Sequence, residues 1–249
     1  MYQQRSHGRR GMRDWIRGNA GTLLLLTIVL ATLTGCQRED PRLIGLQRLE
    51  SASPSPADTE ELEAVIEEYG RVVSEKIEAG IRQAQYLKLL AHEYLRNQMY
   101  GLSLSALQDA IDLEPENQIL QELAGASAAY MAKAQGDEQA REHYFSMAES
   151  YYLRAIELTP DYREANYGLA VLYVFELDEP LEALPYIEHV LEITPDDVDA
   201  LFVLANANVA IGDFDAAIEA YDRIIRVADD AGLKERAAQN RQLLLGGES

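Results

Sequence analysis

Cysteine is almost missing from this sequence: Cys36 stands alone, so the 249-residue chain can form no internal disulfide and offers no thiolate cluster to a metal. Basic residues are scarce, 22 against 42 acidic, for a formal net charge of -20. That balance argues against nucleic-acid binding, which depends on cations neutralising phosphates, and disfavours adsorption to anionic lipid through a basic face. Histidine is equally thin. His92-Glu93 has no second histidine four positions after the first, and His143 and His189 stand apart, so no metal site is expected. No glycine-rich phosphate loop and no strand alternation occur, so neither a cofactor nor catalysis is expected. Acid-dense stretches such as "TEELEAVIEEYG" read as a solvated helix face rather than acid/base pairs.

Long apolar runs are also lacking, with one exception. "TLLLLTIVLATLT", Thr22 to Thr34, follows a segment holding Arg5, Arg9, Arg10, Arg13 and Arg17. This order, basic then apolar then small residues, is that of a secretory signal. Without residues 1–35 the balance becomes 17 basic to 41 acidic residues, net -24. Leu33, Thr34, Gly35 and Cys36 resemble the bacterial lipobox. The resemblance implies acylation of Cys36 and removal of residues 1–35; the rival reading is an uncleaved membrane anchor. Translation from Met12 would shorten the signal. Gln37 lacks the aspartate that retains such lipoproteins in the inner membrane, which implies an outer-membrane protein facing the periplasm. Trp15, the sole tryptophan, falls within the removed segment.

Residues 36–57, with the alternating Ser/Pro run "SASPSPAD", suit an extended tether. From Asp58 the pattern is helical: Leu62, Val65, Ile66, Tyr69, Val72, Val73 and Ile77 recur at helix spacing, after a capping-box-like Asp58 and Glu61. Residues 58–83 are expected to form a flanking helix. Beyond them Pro115, Pro160 and Pro195 close units ending "IDLEP", "IELTP" and "LEITP". Large and small residues recur within the units: Leu87, Leu90, Ala91 and Tyr94, then Leu107 and Ala110 ahead of Pro115; and Leu201, Leu204 and Ala205, then Ala217 and Tyr221 in the last unit, where Asp229 occupies the proline's place. This resembles the tetratricopeptide repeat, a 34-residue helix-turn-helix unit.

Four repeats are assigned, 84–117, 118–162, 163–197 and 198–230, with 231–249 as a C-terminal capping helix and tail. The second is long, because Pro115 to Pro160 spans 45 residues, and it reads as two elongated helices parted at Gly136-Asp137. The expected fold class is all-α, a tetratricopeptide-repeat solenoid with flanking helices.

In that family the first helix of each repeat lines the concave surface. Carried over, this face holds Lys88, His92 and Arg96, then Tyr167, Val171, Val174 and Phe175, then Phe202, Asn206 and Val209. The competing reading packs the apolar members against neighbouring helices. The face does not reproduce the lysine and asparagine set of carboxylate-clamp repeats: Lys88 and Asn206 fit, and the intervening positions do not. The resemblance implies a membrane-anchored scaffold for a protein or peptide partner in a cell-envelope complex. A second reading is an accessory lipoprotein holding a small apolar molecule, like those found beside transporter substrate-binding subunits.

Overall fold

The computed structural model describes residues 59–246; Cys36, the signal, the tether, Asp58 and the last three residues lie outside the described part. Every regular element in it is a helix: α1 (Thr59–Arg96), α2 (Tyr100–Leu113), α3 (Gln118–Lys133), α4 (Glu138–Leu158), α5 (Arg163–Phe175), α6 (Pro180–Ile193), α7 (Val198–Ile211), α8 (Phe214–Val227) and α9 (Ala231–Gly246). The chain divides into two units, residues 1–73 and 74–249. Of the first, the described part is the opening stretch of α1; the repeats lie in the second.

The helix ends are written in local chemistry. Pro115, Pro160 and Pro195 each follow the last helical residue by two positions, as expected where a missing amide and a restricted preceding residue stop a helix. Asn117, Asp137, Asp197, Asp213 and Asp230 each accept a backbone N–H from the first turn of the helix that follows, the aspartates at 2.9–3.0 Å. Gly212 closes α7 at φ +83°, a left-handed angle that glycine adopts without a Cβ clash.

Connections of two to four residues make neighbouring helices antiparallel hairpins, α3 with α4, α5 with α6 and α7 with α8. First helices of successive pairs also touch, α3 against α5 and α5 against α7. Close approach depends on small residues: Ala124, Ala128, Ala148, Ala165, Ala170, Ala200, Ala205 and Ala217 are fully buried, interleaved with Leu120, Leu169, Ile187, Leu201 and Ile224. Ser103 on α2 links three helices, donating to the Ala91 carbonyl of α1 (3.0 Å) and meeting the Ser127 hydroxyl of α3 (3.0 Å). Since the Ser103 proton is committed to Ala91, Ser127 is the donor in the second bond.

Two differences from the sequence reading stand out. The boundary at 83/84 is not a break: α1 runs through it for 38 residues, because Gly70 and Gly80 weaken a helix without ending it. The apolar spacing along its start does make a helix, but Leu62, Ile66, Val73 and Ile77 are exposed and Val72 alone of that set is buried. At the other end α9 covers α8. There Arg241 pairs with Asp222 (2.8 Å), its N–H off the line of a hydrogen bond, and Asn240 donates to the Tyr221 hydroxyl at 3.4 Å.

Candidate binding groove

The parallel first helices α3 and α5 leave a groove of about 300 Å³ between them. Its floor is small: Ala126 and Ala129 from α3, Gly168 and Val171 from α5. Tyr130 and Tyr167 flank it, and Tyr130 stacks on Tyr100 with centroids 5.2 Å apart. One end is closed by an ion pair, Lys133 Nζ to Glu176 Oε1 at 2.6 Å. The other end carries two carboxylates, Glu122 and Glu164.

Tyr152 enters this floor from behind. It projects from α4, and its ring passes between two glycines, Gly125 of α3 and Gly168 of α5. A Cβ at Gly125 would lie 3.0 Å from the ring and one at Gly168 only 2.6 Å from it. The phenol is 5% exposed and lines the groove, with its oxygen beside Gly168, yet it makes no hydrogen bond among the described residues. The ring is buried while the hydroxyl opens to the groove, free to bond whatever occupies it.

The charges around it are unevenly satisfied. Arg163 is committed twice, donating from Nε to Asp197 at 2.7 Å and lying 5.2 Å from the centre of the Tyr167 ring. Lys133 is committed to Glu176. Glu122 and Glu164 have no cation within ion-pair reach among the described residues. Burial, and then the negative charge of Glu164, push the Glu122 carboxyl up to about 7. Burial and the Glu122 carboxylate also raise Tyr152, and burial with the same two carboxylates lifts Tyr162 to about 12.

The ten residues read from sequence as the concave surface separate in the structure. Tyr167 and Val171 line the groove, while Val174 is half-buried in the core and Phe175 is 51% exposed outside it. Phe202 is corrected: it is 6% exposed, its face covered by the Arg236 guanidinium of α9 at 3.9 Å and its edge set against Tyr221. The cause is α9, which caps the last hairpin and lies over this face through Arg236. Asn206 spends its amide on the Phe202 carbonyl at 2.6 Å, and Val209 is half-buried. Lys88, His92 and Arg96 do not line the groove; Arg96 reaches its own helix at Glu93.

The second repeat supplies half of the groove, and the sequence reading drew no surface residue from it. Its length obscured the register, although Glu122, Ala126, Ala129 and Lys133 already form one i, i+4, i+7, i+11 face of α3. The glycine slot for Tyr152 had no sequence signal, because it depends on three helices meeting.

A second hollow, about 690 Å³, lies among Glu149, Tyr173, Asp178, Glu179, Leu181 and Ile211. Its phenol is satisfied, Tyr173 donating to Glu149 at 2.7 Å. Among the described residues no three acidic, histidine or cysteine side chains are placed to hold a metal, and no helix is long and apolar enough to cross a membrane. His189 lies between Asp161 (3.0 Å) and Glu192 (3.4 Å), and the His143 ring lies beside Tyr144.

Comparison with known proteins agrees with this architecture. The model of the tetratricopeptide repeat matches residues 175–237. A TPR repeat-containing protein of Borreliella burgdorferi is 21% identical over 215 residues, covering 85% of this chain and 94% of its own. A thermophilic TPR protein of Thermus thermophilus, TTC0263, superimposes with a TM-score of 0.57 at 18% identity, over 82% of this chain and 97% of its own. YrrB, a TPR protein with an unusual peptide-binding site, gives 0.51 at 20% identity, over 82% and 94%. The fold is the all-α tetratricopeptide solenoid, and the chain carries tetratricopeptide repeats.

Proposed function

We propose that this is a lipid-anchored scaffold of the bacterial envelope, tethered through Cys36 and facing the periplasm, that docks a protein partner in the groove between α3 and α5. The observation behind the docking half is the groove itself, which is open and flanked by two tyrosines. Its floor ends in the Tyr152 hydroxyl, which has no hydrogen-bond partner among the described residues. Tyrosine walls suit peptide contact, giving large area at low entropy cost and a polar tip. YrrB is a fold neighbour with a peptide-binding site of its own, and a comparable mode is what we assign here. The alternative of a small apolar guest fits less well, since it would bury Glu122 and Tyr152 without satisfying either. The reading assigns no catalytic step.

The anchoring half rests on the sequence order of basic segment, apolar run and Leu33–Cys36 tetrad. One acyl chain gives marginal membrane affinity and several give stable anchoring. Feeding cells a labelled fatty acid tests it: wild type should incorporate label and Cys36→Ala should not, and equal labelling would overturn it. For docking, a photo-crosslinking side chain in place of Tyr167 should capture a reproducible partner in intact cells. The same group in place of Glu219, exposed on α8 and outside the groove, should not; equal capture from both would count against the groove.

A further inference from the structure

The groove has a chemical preference that its outline alone does not reveal. Its two cations are already committed, Lys133 to Glu176 and Arg163 to Asp197, whereas two carboxylates at the opposite end have none. Beside them the Tyr152 side chain, its ring held between Gly125 and Gly168 and nine-tenths buried, ends in a hydroxyl that opens to the groove and has no hydrogen-bond partner among the described residues. A protein segment that leaves this constellation unmet would forfeit both charge and hydrogen bonding.

We propose that the groove recognises a basic segment of its protein partner, taking one lysine or arginine side chain whose charged end meets Glu122, Glu164 and the Tyr152 hydroxyl. This rests on the docking reading above and narrows it to one chemistry. The small floor of Ala126, Ala129 and Gly168 accommodates the aliphatic stem, and Tyr130 and Tyr167 flank it. An anion is disfavoured by the paired carboxylates. A metal lacks the third ligand among the described residues. A volume of about 300 Å³ lies at the bottom of the range of small-molecule pockets and suits one long side chain with its flanking backbone.

The test uses full-length protein and a fluorescent peptide with a central lysine, paired with an otherwise identical peptide carrying uncharged norleucine there. Anisotropy titration at physiological salt should show the lysine peptide binding roughly 10-fold or more tightly, the worth of a charged hydrogen bond. Glu122→Gln should abolish most of that preference and Tyr152→Phe should reduce it several-fold. Glu219→Gln, the same charge change on the exposed face of α8, should leave it intact. Circular dichroism confirms that each variant folds.

Equal binding of the two peptides, or equal loss in Glu122→Gln and Glu219→Gln, overturns the proposal, the second result exposing attraction to the net charge alone. If the two peptides bind equally and Ala126→Trp blocks both, the groove docks peptides without selecting charge, and the docking reading survives alone. If spermidine binds and neither peptide does, both readings fall.

Discussion

Glu122 illustrates how a single buried acid trades stability for a site. Its carboxyl ionises near 7 rather than 4.5, first because burial disfavours the charge and second because Glu164 is close. The native state therefore holds this proton more tightly than the unfolded chain. Below about pH 4.5 both states are protonated and the group is neutral to stability; as pH rises through 4.5 to 7 the penalty accrues, and above 7 it is complete. Glu122→Gln should match wild type near pH 4 and exceed it by up to about 3 kcal/mol near pH 8, read from urea denaturation at both values. A gain of the same size at both pH values would mean that the charge is not the cause. Gly168 is the second telling residue. A Cβ there would meet the Tyr152 ring at 2.6 Å, compared with 3.0 Å at Gly125. Alanine gains about 1 kcal/mol of helix propensity at either position, but overpacking costs about 1–3 kcal/mol. Gly125→Ala should thus be near neutral, and Gly168→Ala should lose about 1–2 kcal/mol; the reverse order would show that the ring is not pinned as described.

At the scale of elements, the terminal helix α9 completes the last hairpin. It buries Ala237, covers Phe202 with Arg236 and contacts Tyr221 through Asn240. In a repeat array each unit leaves one apolar face to its neighbour, so the last one needs a cap. Ending the chain after Asp230 should expose Phe202 and Tyr221, lower stability by roughly 2–4 kcal/mol and promote self-association, both measurable by denaturation and light scattering. Unchanged stability would mean that α8 needs no cover. The helix ends ahead of Pro115, Pro160 and Pro195 were legible in the sequence, because a proline acts within a few residues of itself. The length of α1 was not legible, since whether a helix pauses at Gly70 or Gly80 depends on what packs beside it.

For the whole molecule, repetition is what makes the groove. Stacking α3 beside α5 brings Glu122 to Glu164 and Lys133 to Glu176, so one end of the groove is neutralised and the other is left acidic. Tyr167 and Val171, which the resemblance assigns to the inner face of a first helix, line the groove. Phe202 carried the same pattern and is covered, because the pattern describes an internal repeat and α7 belongs to the last. The acidic composition provides a long-range attraction for basic partners, and the groove would provide the short-range selection.

The sequence by itself determined the helical class and its repeat-built organisation, since these follow from spacing and proline acting locally. It also raised Cys36 as an attachment point, which lies outside the described residues. Only the tertiary structure decided which candidate residues face solvent, which charges find partners, and that Tyr152 passes between two glycines to reach the groove. Those outcomes depend on distances between residues tens of positions apart, and no local pattern encodes a distance of that kind.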